Sequence, residues 1–219
     1  MAERLEYEHG SRAGGAVRPT DRQGAAGWAG GLSGWSAVPQ ATRGGPPYRQ
    51  FVHRDKSGGG MGRQFAQLAA AGVPPTWNTY VSVDDVEAVT AAVTEHGDTV
   101  LMPAMKILEA GEMAVFTDPQ GAAFCVWKAG EHIGAEIVNE PNSFSWNELA
   151  TRHVEGAKAF YSKVFGWNIE AADAGGMAYQ MLKLGDREVG GMMEMGESCA
   201  AQLPPHSPGY FSVAGRQAA

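Results

Sequence analysis

The most regular patterning of apolar and polar positions lies between Trp77 and Trp127. Trp77 to Val83 alternates as a strand does. Asp84 and Asp85 stand where a helix N-cap belongs, and Val86, Val89 and Val93 then form a stripe at the helical period. With Asp84 as the cap, Glu87 adds a capping-box element. Gly97 follows as a stop. Thr99 to Met102 reads as a short strand, and Ala114 to Thr117 and Ala122 to Trp127 as two more. Asp118-Pro119-Gln120-Gly121 joins the last two with the residue order of a type I turn. The predicted module is strand, helix, three strands, with closely spaced strands favouring antiparallel hairpins.

A second module opens at Phe144 to Thr151, which reads as a strand. A helix is expected from about Val154 to Phe165, with Val154, Ala157, Tyr161 and Val164 on one face and Phe160 widening it. Gly166 is placed to end it at C′.

The chain also repeats itself. Pro74-Pro75 through Val83 matches Pro204-Pro205 through Val213 at an offset of 130 residues. Tyr48 through Met61 matches Tyr179 through Met192 at 131, and Gly34-Trp35 matches Gly166-Trp167 at 132. Three matches in order at nearly one offset indicate a duplicated unit of roughly 130 residues. The expected division is a first domain over 1–132, with its intact module at 76–128, and a second over 140–219, with its intact module at 144–195. Gly130 to Pro141 links them and either docks as a short strand or stays a linker. The copies are unequal. Residues 1–47 keep a few aligned positions (Asp21, Gly24, Ala25, Leu32) but lose strand alternation and read as Gly-, Ala- and Arg-rich coil. After Val213 the second copy lacks the strands that follow Val83 in the first. Each intact module therefore needs a partner, either the other module or a second copy of the chain in a homodimer.

Composition narrows the function classes. The 219 residues are 44% hydrophobic and 19% charged, with net charge −7. That suits a globular α+β chain. The acidic balance argues against a nucleic-acid partner or an anionic membrane surface. No apolar run approaches the length of a membrane span. Cys125 and Cys199 share no motif spacing and fit a reducing cytoplasm as free thiols.

The patterns D-D-V-E-A, E-x-G and F-x-D-P-x-G-x-x-F-x-x-W of the first module, with A-K-A-F-Y-x-x-V-F-G-W at Ala157 to Trp167, resemble the vicinal oxygen chelate superfamily. That superfamily includes glyoxalase I, extradiol dioxygenases, and bleomycin and fosfomycin resistance proteins. The chain is similar to its two-domain actinobacterial glyoxalase-like members over roughly Tyr48 to Val213. The resemblance implies βαβββ modules that pair to curl a mixed sheet into a cup. It implies a divalent metal or an organic ligand in the cup, with a His on the first strand and a Glu on the last strand of each module as metal ligands.

Carried over residue by residue, the His positions fall on Asn78 and Trp146, and the one traceable Glu position falls on Cys125. None is the usual ligand, so no metal site is expected from these residues, and a divalent ion is implied by the resemblance alone. Alternation places Asn78, Tyr80, Cys125 and Trp127 on one face of the first module, and Trp146, Glu148 and Ala150 on one face of the second. These make a candidate ligand site with an aromatic wall and a few polar handles. Glu148 is its candidate base or cation holder. Cys125 reads equally as a small buried hydrophobe. His153 stands where the family usually has an Asp cap and reads as a weakened cap. Three functional readings follow: a metal-free small-molecule binding protein like the resistance branch, a metal-dependent lyase, isomerase or dioxygenase, and an inactive remnant.

Overall fold

The computed structural model describes residues 34–40, 42, 47–63, 70, 77–174, 177–197 and 199–212. Most of the coil expected over 1–47, with Asp21, Gly24, Ala25 and Leu32, lies outside the described residues, as does Val213; where that stretch is described, Ser36–Gln40 is a strand and not coil, held by antiparallel pairing with Tyr48–Val52. The fold is α+β, built mainly of curled mixed sheets.

The first module comprises β4 (Tyr80–Ser82), α1 (Val86–Glu95), β5 (Val100–Ile107), β6 (Gly111–Thr117) and β7 (Ala123–Ala129). Its sheet order is β4-β7-β6-β5. β4 runs parallel to β7, with Tyr80 opposite Cys125 and Ser82 opposite Trp127. Asp85 rather than Asp84 is the N-cap. Its backbone is extended, and its carboxylate accepts the Ala88 N–H at 3.0 Å. That places Glu87 at the second helical position, off the capping-box register. Val86, Val89 and Val93 are buried, as the stripe requires. The Asp118–Gly121 turn closes through Gly121 N–H to Asp118 O at 2.9 Å. β5 runs well past the expected Met102. Pro103 within it is tolerated because β5 is an edge strand, and the register shifts on either side of Met102.

The second module comprises β8 (Phe144–Thr151), α2 (Val154–Phe165), β9 (Asn168–Ala174), β10 (Met177–Leu184) and β11 (Arg187–Glu194), in the equivalent order β8-β11-β10-β9. α2 ends at Gly166, whose φ of +69° is the left-handed conformation glycine adopts freely. The buried residues of α2 are Ala157, Phe160, Tyr161 and Phe165. Val154 and Val164 are only half-buried, because the larger rings carry the contact.

Two compact units divide the chain. The first holds Thr79–Ile133 and Trp146–Pro208, so the two intact modules pack against each other. Phe124 of β7 meets Phe160, Tyr161 and Phe165 of α2 at ring-centroid distances of 5.9, 5.8 and 5.8 Å. Trp167 stacks on Phe165 at 4.8 Å and on Tyr161 at 5.9 Å. Polar ties accompany the rings. Thr79 donates to Asn147 Oδ1 at 2.9 Å, and Gln120 Nε2 donates to the His153 carbonyl at 2.9 Å.

The described residues of the second unit are those within 34–78, Gly134–Ser145 and 209–212. β1 (Ser36–Gln40), β2 (Tyr48–His53) and β3 (Lys56–Gly62) form an antiparallel meander. β12 (Gly209–Phe211) lies beside the first residues of β8, where Ser145 Oγ donates to the Tyr210 carbonyl at 3.2 Å. Trp35, Phe51, Trp77 and Phe211 pack as an aromatic core. The segment after Gly134 docks: Ile137 is buried, and Glu136 N–H donates to Ser57 O at 2.7 Å.

Candidate functional site

On β8 the period of two puts Trp146 and Glu148 on one face. Parallel pairing sets Glu148 directly opposite Gly191 of β11. Tyr179 starts on β10, the next strand out, and its ring passes over Gly191. A Cβ at Gly191 would collide with the Tyr179 hydroxyl. The missing side chain therefore opens the path from β10 to β8. Across it, Tyr179 Oη donates to Glu148 Oε2 at 2.9 Å and accepts the Trp146 indole N–H at 2.8 Å. Glu148 is 8% exposed, and the other two are half-buried. Trp146, Tyr179 and Glu148 form a continuous hydrogen-bonded chain.

Tyr179 was not among the residues expected from sequence. The signal for it was present as a tyrosine leading one strand of a hairpin and a Gly190-Gly191 pair on the other. Reading it required the register, which no periodicity supplies. The hairpin β2–β3 repeats the arrangement 131 residues earlier. Tyr48 lies over Gly60, and the bulge at Phe51/Val52 matches the one at Leu182/Lys183.

The first-module candidates gather separately. Tyr80 and Trp127 meet edge to face at 6.4 Å, and Tyr80 Oη contacts Met113 Sδ at 4.0 Å. The Trp127 indole donates to the His132 carbonyl at 2.9 Å. Its ring occupies the space over Gly111, where an added Cβ would approach it to 2.5 Å. Tyr80, Cys125 and Trp127 are all buried. Asn78 belongs to the second unit and the other five candidates to the first.

The donors at the traced ligand positions do not fit a divalent metal. Among the described residues, no three His, Cys, Asp or Glu side chains converge as a metal-binding group. Asn78 is a weak ligand, and the one polar side-chain atom of Trp146 is a donor already given to Tyr179. No step through a metal follows from these residues.

Asp118 is a buried carboxylate of the first unit. Its Oδ1 accepts the N–H groups of Gln120 and Ala122, each at 2.9 Å, and its Oδ2 accepts the Tyr161 hydroxyl at 3.3 Å. Burial pushes its pKa up, with the turn N–H groups and Tyr161 pulling the other way. Burial, then the Asp118 charge, pushes the Tyr161 hydroxyl well above its ordinary value, so it stays a donor. This carboxylate ties the turn of one module to the helix of the other.

No family model matches the chain. The protein CFP32 of Mycobacterium bovis and Mycobacterium tuberculosis, which carries a glyoxylase name, is 38% identical over 214 residues, 97% of this chain and 81% of its own. The fold is shared with the Mn(II)-bound glyoxalase from Novosphingobium aromaticivorans, at a TM-score of 0.53 and 14% identity. The chain belongs to the vicinal oxygen chelate superfamily. The CFP32 match takes in residues ahead of Tyr48, beyond the stretch that carries the motifs. DnrV of Streptomyces peucetius, named an anthracycline biosynthesis protein, is 34% identical over 195 residues, 84% of this chain and 70% of its own. Homoprotocatechuate 2,3-dioxygenase from B. fuscum shares the fold at a TM-score of 0.58 and 11% identity. This chain is 82% covered by the superposition on the Novosphingobium glyoxalase and spans 56% of that chain; for the dioxygenase the shares are 87% and 53%.

Proposed function

We propose that this chain is a small-molecule binding protein of the glyoxalase and bleomycin-resistance type, and that it holds its ligand without the superfamily's usual metal. The observation that carries this reading is the donor set: Asn78, Cys125 and Trp146 stand at the traced ligand positions, and Cys125 is buried. The ligand class is a planar aromatic compound, met by the Trp146 ring and by the polar pair of Glu148 and Tyr179. The anthracycline name of DnrV supports that class, since an anthracycline is a planar fused-ring molecule. The copies 1–132 and 140–219 would each contribute one module to the compact first unit. Both described cysteines are free thiols, in keeping with a reducing cytoplasm, and no helix among the described residues is long and apolar enough to cross a membrane.

The glyoxylase name of CFP32 favours a second reading, a metal-assisted lyase or dioxygenase. One titration separates the two. The purified chain, treated with chelator, is titrated with a fluorescent anthracycline and then again with nickel, zinc or manganese present. The expected dissociation constants agree within about twofold, because a ligand held by side chains alone is indifferent to the ion. Binding that appears only with one metal would overturn the metal-free reading.

A further inference from the structure

Glu148 is more than nine-tenths buried, and a carboxylate taken that far from water needs a built environment. Tyr179 provides a defined part of it. Its hydroxyl proton is directed at Oε2, and its oxygen is held from behind by the Trp146 indole N–H. The oxygen is thereby fixed on both sides, and each bond polarises the next. The arrangement depends on glycine at position 191, in the interior of β11 and at the start of its parallel pairing with β8, where a larger residue would strengthen the strand. A core filled for stability alone would not need that gap. The Tyr48-over-Gly60 pair shows the same gap kept in the other hairpin.

We propose that Tyr179 is a positioning residue: laid across Gly191, it fixes the Glu148 carboxylate beside the Trp146 ring to receive the ammonium or N–H group of a planar aromatic ligand. An amine meets the carboxylate through a charge-assisted hydrogen bond and the indole face through a cation–π contact. This rests on the metal-free binding reading and names the ligand chemistry for that site.

The test uses the full chain and two fluorescent probes, an anthracycline bearing an amino sugar and its neutral aglycone. Wild type is expected to bind the amine about tenfold more tightly than the aglycone, the preference of one charge-assisted bond. Glu148→Gln should remove the preference, weakening the amine about tenfold more than it weakens the aglycone. Tyr179→Phe keeps the ring and loses the hydroxyl; it should cut the preference to about threefold, by weakening the amine more than the aglycone. Gly191→Ala should reproduce that result by displacing the hydroxyl, and Tyr179→Phe decides the matter if Gly191→Ala does not fold. Equal binding of both probes by wild type, or equal weakening of both by Tyr179→Phe, would overturn the proposal while leaving the binding reading standing. Binding of neither probe would overturn the planar-aromatic reading itself, and this proposal with it.

Discussion

Asp118 Oδ1 holds the turn N–H groups of Gln120 and Ala122 while Oδ2 holds the Tyr161 hydroxyl, and the carboxyl is 3% exposed. Burial raises its pKa, so the folded chain binds the Asp118 proton more tightly than the unfolded chain does. The contribution to stability is then greatest below the unfolded aspartate value of about 4 and is lost as pH rises through the raised folded value. Asp98 leans the same way, raised by burial and then by the Asp118 charge. Asp118→Asn keeps an oxygen acceptor for the turn and removes the titration. Thermal melts from pH 4 to pH 8 should therefore show a flatter profile for Asp118→Asn, with its advantage over wild type growing toward pH 8. Asp118→Ala, which strands two turn N–H groups, should cost about 1–3 kcal/mol at every pH. A wild-type profile that rises with pH across this range would contradict the assignment. The turn role of Asp118 was legible in Asp-Pro-Gln-Gly, because each residue has a fixed place in a type I turn. Its bond to Tyr161 was not, because periodicity names the face a side chain occupies and not its partner on another module.

α2 begins at His153, whose side chain makes no cap hydrogen bond. The His153 ring instead fills the space where a Cβ at Gly156 would sit. The two positions are coupled, and a double-mutant cycle should expose this. His153→Asp supplies a cap acceptor and should stabilise by about 1 kcal/mol, a rise of a few degrees in Tm. Gly156→Ala alone should gain less than helix propensity promises, or destabilise, because the ring must move. In the His153→Asp background the same change should recover up to about 1 kcal/mol. Additive effects in the cycle would show that the ring does not obstruct position 156. Both ends of α2 could be read from sequence, since His153 lacks capping chemistry of the usual kind and Gly166 has the φ that only glycine takes freely. The length of β5 could not. Pro103 argues for a break until β5 is known to be an edge strand.

At the scale of the molecule, the α+β class and the βαβββ order of both modules followed from alternation and helical stripes, which are local. Which surfaces meet is a non-local matter. Sequence alone left open whether an intact module would seek its neighbour or another chain, and the Phe124 cluster with Phe160, Tyr161 and Phe165 supplies the neighbour. The Tyr179–Glu148 contact was hidden for the same reason, because it crosses an intervening strand. If the first unit owes its stability to that shared aromatic core, residues 79–208 alone should fold. The fragment retains the Thr79–Asn147, Gln120–His153 and Asp118–Tyr161 bonds and the pairing of Ala150 with His206. The segment Gly134–Ser145, which belongs to the second unit, becomes a loop, and the closure cost of such a loop grows only slowly with length. The expected result is a single cooperative thermal transition with a near-UV circular dichroism signal from Trp127, Trp146 and Trp167. Trp167 is the most telling reporter, since it stacks on Phe165 and Tyr161 within the shared core. A fragment that keeps far-UV ellipticity but loses the near-UV signal and the transition would be compact without specific packing. That outcome would mean the aromatic core between the modules does not suffice, and that residues outside 79–208 carry part of the first unit's stability.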